Sequence, residues 1–282
     1  MKTTASESKT ASNPAGVLLR QWRDIRGKTQ LDLSLDAGVS QKHISFVESG
    51  RSIPSRQMLL DLAQALDVPL RERNELLMAA GYAPVYSDQA LDAPLMNSVS
   101  KALQRMLRQH EPFPAIVMDR HWNVLMTNDA APRLFNCFID MAARPSPRNL
   151  LHLMFDPAGM RPFVANWPET ARGLLGRVYR EALGRVMDER TKALLAELSH
   201  YPGVQPEWRA PTSGESMPMI PLTFVKDGVR LKYFSMITTV GTPQSVTIEE
   251  LRLECMFPAD DATEAEHSRF VLTNSGVRSS RH

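Results

Sequence analysis

Residues Thr29–Gly50 read TQLDLSLDAGVSQKHISFVESG, and this stretch decides the fold of the first part of the chain. Thr29 is a helix N-cap, because its hydroxyl accepts from the unpaired amides of the first turn. Leu31, Leu33, Leu35 and Ala37 offer apolar positions, and Leu33 and Ala37 carry the helical stripe. Gly38 ends that helix, since a residue without a Cβ takes the left-handed turn at little cost. Val39 fills the turn and Ser40 caps a second short helix. There Ile44 and Val47, three apart, face inward and push Gln41, Lys42, Ser45 and Phe46 outward. Two short helices joined by a glycine corner, the second showing polar donors, predict a helix-turn-helix that reads DNA.

Working outward, Pro14 to Gly27 forms a preceding helix with Val17, Leu18, Trp22 and Ile25 as its expected buried face. After GRSIPS, Ser55 to Leu66 repeats apolar residues at helical spacing, and Leu70 to Ala80 gives a fifth helix stopped by Gly81. Residues 18–66 resemble the XRE family of helix-turn-helix proteins, the phage-repressor and Cro type. Gln30, Gly38-Val39-Ser40, Ile44-Ser45, Glu48-Ser49-Gly50-Arg51 and Pro54-Ser55 carry the resemblance, and Ser34 departs from it where the family has a small apolar residue. The resemblance implies an all-α, five-helix, lambda-repressor-like domain and an ion pair between Arg23 and Glu48.

The candidate DNA contacts follow from side-chain chemistry. Gln30 stands at a helix N-terminus, where free amides favour a phosphate oxygen, and its amide can donate as well. Gln41 can pair bidentately with adenine and Lys42 can donate to guanine. Ser45 reaches base or phosphate, Phe46 can touch a thymine methyl or pack under the following loop, and Arg51 can clamp the backbone. The two caps, Thr29 and Ser40, complete the set. One such domain reads few bases, so a homodimer on an inverted-repeat operator in double-stranded DNA is expected.

Bulk properties constrain this reading without making it. The 282 residues allow two domains, and 43% hydrophobic with 23% charged residues is ordinary for a globular chain. A net charge of +2 does not suggest nucleic acid by itself. Between Leu18 and Arg56, seven basic residues stand against four acidic ones, an excess sufficient for phosphate contacts only with the right geometry. Cys137 and Cys255 form no metal-ligand pattern. Residues 1–13 lack the apolar core of a signal peptide, and no window is apolar enough to span a bilayer, so a cytoplasmic protein without a membrane partner is expected.

The second half is of mixed character. Leu91 to Gln109 is helical. In PAIVMDRHWNVLMTNDAAPRLF (114–135), two short apolar runs flank turn residues and lead through Asn128-Asp129 into a helix. This order resembles the opening of a PAS domain and implies an α+β, PAS-like C-terminal domain with an antiparallel sheet. Asn149 to Tyr201 is helical again. Met219–Val225, Val229–Val240 and Val246–Phe257 read as strands, with Lys226-Asp227-Gly228 as a hairpin turn. Phe224, Phe234, Met236, Leu251, Leu253 and Met256 are the expected interior positions.

The layout resembles XRE regulators that carry an MmyB-like ligand-binding domain. The runs at 111–135 and 242–260, Asn149-Leu150-Leu151 and Asn166-Trp167-Pro168-Glu169 carry that likeness. The expected domains are a disordered tail at 1–13, a helix-turn-helix domain at 14–82, a linker at 83–94, the ligand-binding domain at 95–262 and a mobile tail at 263–282. Methionines recur in apolar elements, as suits an adaptable pocket for a small apolar effector, fatty-acid-like in character. Met118, Met126, Phe135, Phe155, Trp167, Val178, Phe234 and Met236 are its candidate lining, although Trp122 and Trp167 are read first as staples between helix and sheet and only second as cavity lining.

No cofactor is assigned; the expected occupant is a bound fatty acid or other apolar small molecule. Asn136-Cys137-Phe138 lacks the companions of a flavin-reactive cysteine phrase, and His121, His152 and His200 lack a haem-ligand pattern. The sequence has no P-loop, GxSxG, HExxH or dinucleotide glycine fingerprint, so an enzyme is not expected. Two other readings stand: a PAS-like sensor of a different cofactor, or a protein-interaction adaptor whose helix-turn-helix serves dimerisation.

Overall fold

The computed structural model describes residues 14–184, 186, 188–209 and 219–276. The disorder expected at 1–13 falls, like residues 185, 187, 210–218 and 277–282, outside the described residues. Two compact units form, one from residues up to Asp88 with short pieces at 183–186 and 244–246, the other from the remainder.

The first unit is helical: α1 (Pro14–Ile25), α2 (Gln30–Ala37), α3 (Gln41–Glu48), α4 (Arg56–Ala65) and α5 (Leu70–Ala79). Leu19, Trp22, Leu33, Ile44, Val47, Leu62 and Leu76 form its core. The expected face of α1 is corrected here. Ala15, Gly16, Leu19 and Trp22 are buried, whereas Val17 is half exposed. Gly16 lies so close to Val47 of α3 that a Cβ would collide with the Val47 carbonyl oxygen, and this close approach sets which side of α1 faces in. Beyond α5, the side-chain oxygen of the buried Asn74 accepts from the amides of Val85 (2.9 Å) and Tyr86 (3.1 Å). The start of the expected 83–94 linker is therefore pinned.

The second unit begins with α6 (Asn97–Gln109) and holds a five-stranded antiparallel sheet of order β2-β1-β5-β4-β3. Its strands are β1 (Ala115–Met118), β2 (Val124–Thr127), β3 (Pro221–Lys226), β4 (Val229–Thr238) and β5 (Arg252–Pro258). Between β2 and β3 come α7 (Ala130–Phe138), α8 (Leu150–Phe155), α9 (Trp167–Leu183) and α10 (Glu189–His200). Asp227 and Gly228 both have positive φ, the signature of a tight hairpin between β3 and β4.

Both faces of the sheet are covered. Ile116, Met118, Leu231, Tyr233 and Met256 pack with residues of α7, α8 and α9. Ala115, Val117 and Leu253 pack with Leu103 and Leu107 of α6. Residues 246–250, expected to extend a strand, instead form a short helix, α11 (Val246–Glu250). The tail expected to be mobile from 263 is, as far as described, a packed helix, α12 (Asp261–Gly276), with Thr263, His267 and Phe270 buried.

Candidate nucleic-acid interface and effector cavity

The α2–α3 corner is fixed by local chemistry. Thr29 Oγ1 accepts from the Asp32 amide (3.1 Å), while the Thr29 amide donates to Asp32 Oδ2 (2.8 Å), a reciprocal cap. The Thr29 hydroxyl, which donates to Asp32 Oδ2 (2.7 Å), and the Thr29 amide together hold the Asp32 carboxyl below its usual range. Gly38 closes α2 at φ +64°, and Ser40 Oγ accepts from the His43 amide (3.3 Å) to open α3. With Ile44 and Val47 fully buried, Gln41 and Lys42 stand exposed at the start of α3.

Ser45 and Phe46 are half buried, and Arg51 is exposed. Lys42 Nζ lies 5.7 Å and the Arg51 guanidinium 5.9 Å from the Phe46 ring centre. The Phe46 carbonyl accepts from the amides of Arg51 (2.8 Å) and Ser52 (3.1 Å), which folds the following loop back onto the helix. Lys42, Phe46 and Arg51 thus form one cationic, aromatic edge.

Behind that edge, Arg23 Nε donates to Glu48 Oε1 (2.7 Å) and Nη2 donates to Glu48 Oε2 (3.0 Å). Gln30 Nε2 donates to the same Oε2 (2.9 Å). One hydrogen of the Gln30 side-chain amide is thus engaged by Glu48, which ties α2 to α3.

The second unit contains a cavity of about 180 Å³ between sheet and helices. Ile116, Ile237 and Met256 line it from the strands, and Phe135, Met154 and Leu174 from the helices. Four polar side chains also reach it: Thr170, Arg177, Ser235 and Glu254. Thr170 Oγ1 donates to the Pro221 carbonyl (3.0 Å). Arg177 stacks over the Trp122 ring (4.8 Å) and donates from Nε to Glu181 (2.9 Å), and Glu181 in turn accepts from Arg252 (3.0 Å). Burial raises the Glu254 carboxyl above its usual range, although Ser235 and Arg177 pull the other way. On the opposite face, an open apolar cleft of about 410 Å³ runs between α6 and the ends of β4 and β5.

Residues 19–73 match the model of a helix-turn-helix family, and residues 99–269 match the MmyB-like transcription regulator ligand binding domain. The chain belongs to the MmyB-like transcription regulators. No curated protein matches it. As an MmyB-like regulator it is a DNA-binding transcription regulator that responds to a ligand, and both matched families are regulatory. Among the described residues of this MmyB-like regulator, no helix is long and apolar enough to cross a membrane.

Of the eight residues expected to line the pocket, only Phe135 borders the 180 Å³ cavity. Met118, Phe155, Trp167 and Val178 belong to the surrounding core, where Trp167 Nε1 donates to the Met154 carbonyl (3.3 Å) and acts as a staple. Met126 packs on the α6 side of the sheet. Phe234 and Met236 are corrected more strongly. Leu231 and Tyr233 carry the inward register of β4, which puts Phe234 and Met236 on the other face, with Met236 53% exposed. Sequence reasoning missed Thr170, Arg177, Ser235 and Glu254. For Glu254 a signal existed, a lone carboxylate inside the apolar strand LECMF.

Proposed function

We propose that this MmyB-like regulator binds an inverted-repeat operator as a homodimer in the cytoplasm and changes its DNA affinity when a small, fatty-acid-like apolar molecule enters the 180 Å³ cavity. The DNA half of the reading is carried by the exposed Gln41–Lys42 edge of α3, braced from behind by Arg23 and Glu48. The effector half is supported by a cavity whose wall is mostly aliphatic and aromatic. Its volume lies below the roughly 300–1,000 Å³ of pockets for drug-sized ligands, which favours a slender occupant of medium chain length.

The effector alters DNA binding only to the extent that it binds the DNA-competent and incompetent forms unequally. The test joins native mass spectrometry of the purified full chain with selection of preferred DNA sites. The reading expects a co-purifying small apolar molecule, a palindromic selected site bound by two copies, and a change in affinity when the molecule is stripped and restored. A single copy on a non-palindromic site, or unchanged affinity after stripping, overturns it.

A further inference from the structure

On α3 the Phe46 side chain is half buried and lies one turn on from Lys42, on the same side of the helix. Its ring stands between two cations, with Lys42 Nζ 5.7 Å and the Arg51 guanidinium 5.9 Å from its centre. The backbone brings the second of these close. Gly50 takes φ +75°, the chain turns back, and the Phe46 carbonyl accepts from the amides of Arg51 (2.8 Å) and Ser52 (3.1 Å). The Ser49 hydroxyl donates to the same oxygen (3.3 Å). Arg51 thus begins from a point fixed to residue 46 itself. Arg23 and Lys28 of the same unit are committed to Glu48 and Asp36, whereas among the described residues Lys42 and Arg51 are in no ion pair. Their charges are left for the duplex.

An exposed lysine or arginine explores many rotamers, and a duplex that holds it in one takes that freedom away at a loss of affinity. A neighbouring surface that already favours the bound rotamer reduces the loss. The face of an aromatic ring attracts a cation only weakly where water has access, enough to shift populations a few-fold and too little to hold the cation back from a phosphate. Here one ring acts on two cations with different tasks, Lys42 toward base edges and Arg51 toward the backbone, so two small gains multiply. A leucine at this position would still pack under the following loop and would offer neither cation a π face.

We infer that Phe46 is a positioning residue for DNA reading: its ring holds Lys42 and Arg51 in the orientations in which they meet the duplex. The inference rests on the proposed DNA-reading edge of α3 and names the side chain that organises it. Phe46 acts through the two cations, which separates this role from direct contact with a thymine methyl.

The experiment uses the full-length protein and a duplex selected from a random pool, with fluorescence anisotropy over a salt series. Phe46→Leu should bind that duplex about five- to thirtyfold more weakly, the combined effect of two surface cation–π contacts. The slope of log affinity against log salt should fall by less than the roughly 0.9 of a lost phosphate contact. Phe46→Tyr, which keeps the ring, should stay within about twofold of wild type. In a Lys42→Ala, Arg51→Ala background at low salt, adding Phe46→Leu should change affinity by less than about twofold, because nothing is left for the ring to position. Uracil in place of thymine in the duplex should leave the Phe46→Leu effect unchanged. In the free wild type, the ε-methylene protons of Lys42 and the δ-methylene protons of Arg51 should be shifted upfield by the ring. A Phe46→Leu loss that persists in the double background, or that vanishes on the uracil duplex, makes Phe46 a direct contact and overturns the inference. Full affinity in Phe46→Leu overturns it too. Should Phe46→Leu fail to fold, the wild-type protons decide, and their absence of shift sinks the positioning role. If the wild type selects no duplex, the DNA-reading edge fails and the positioning role with it.

Discussion

Arg23 holds Glu48 at two points, Nε to Oε1 at 2.7 Å and Nη2 to Oε2 at 3.0 Å, and both side chains are almost entirely removed from solvent. Glu48 ends α3, where the carbonyl end of the helix is already negative, so an unpaired carboxylate there would be doubly unfavourable. Replacing Arg23 by alanine leaves the buried Glu48 with only the neutral Gln30 amide to answer it, and replacing Glu48 leaves Arg23 with the more exposed Asp24 as its counter-charge. Arg23→Ala or Glu48→Ala should each cost about 3–5 kcal/mol of unfolding free energy in urea. The apolar pair Arg23→Met with Glu48→Leu should recover most of that. If the double variant proves no better than the singles, the pair does more than balance charge.

A helical glycine usually gains about 0.5–1 kcal/mol on conversion to alanine. At Gly16 the sign should reverse. The added methyl would meet the Val47 carbonyl, and this oxygen belongs to the backbone of α3 and cannot swing away as a side chain would. Gly16→Ala should destabilise by about 1–3 kcal/mol, the range for overpacking a tight contact. A thermal melt showing stabilisation would mean that α1 and α3 are further apart than described.

The two halves of the chain were legible to different degrees, and the reasons are physical. The corner at Gly38 could be read because glycine, caps and buried positions each follow from purely local chemistry, and so could the Asp227–Gly228 hairpin. The sheet was harder. Alternation reports burial only where one face meets water, and here β1 is buried at all four positions because helices cover both faces. Phe234 and Met236 were therefore assigned to the wrong side of β4. The cavity was least legible, since its polar members come from α9, β4 and β5, far apart in sequence. The polar composition of α12 likewise hid the burial of Phe270 and His267.

On DNA, Lys42 and Arg51 should behave differently although both flank Phe46. Lys42 stands on the exposed start of α3, so Lys42→Ala should cost about 1–3 kcal/mol at a preferred site and little on random sequence. Arg51 lies beyond the end of the helix. Arg51→Ala should weaken both kinds of site and lower the slope of log affinity against log salt by about 0.9. Fluorescence anisotropy over a salt series separates the two. Equal losses on random DNA for both variants would remove Lys42 from base reading.

The seat of α12 should carry a pH dependence of known sign. His267 Nε2 lies 3.0 Å from the Pro112 carbonyl, which can only accept, so this nitrogen carries the hydrogen. Nδ1 then accepts from the Tyr233 hydroxyl at 2.7 Å, which fixes the neutral tautomer. Burial pushes the His267 pKa below 6.5, although the Pro112 carbonyl and Glu111 work in the other direction. Above pH 6.5 neither folded nor unfolded chain binds the proton, and the full stability is present. As pH falls below 6.5, the unfolded chain takes up the proton first, so stability is lost down through the folded pKa, at up to about 1.4 kcal/mol per pH unit. Asp188 does not confuse this window. Although burial opposes its ionisation, Thr191 and the nearby Arg120 and His121 hold its carboxyl down at about 2, and its contribution fades only between about pH 4 and pH 2. Urea unfolding of wild type and His267→Gln between pH 7.5 and 5 should show a steeper loss in wild type. Parallel profiles would mean that His267 is not held neutral beneath α12.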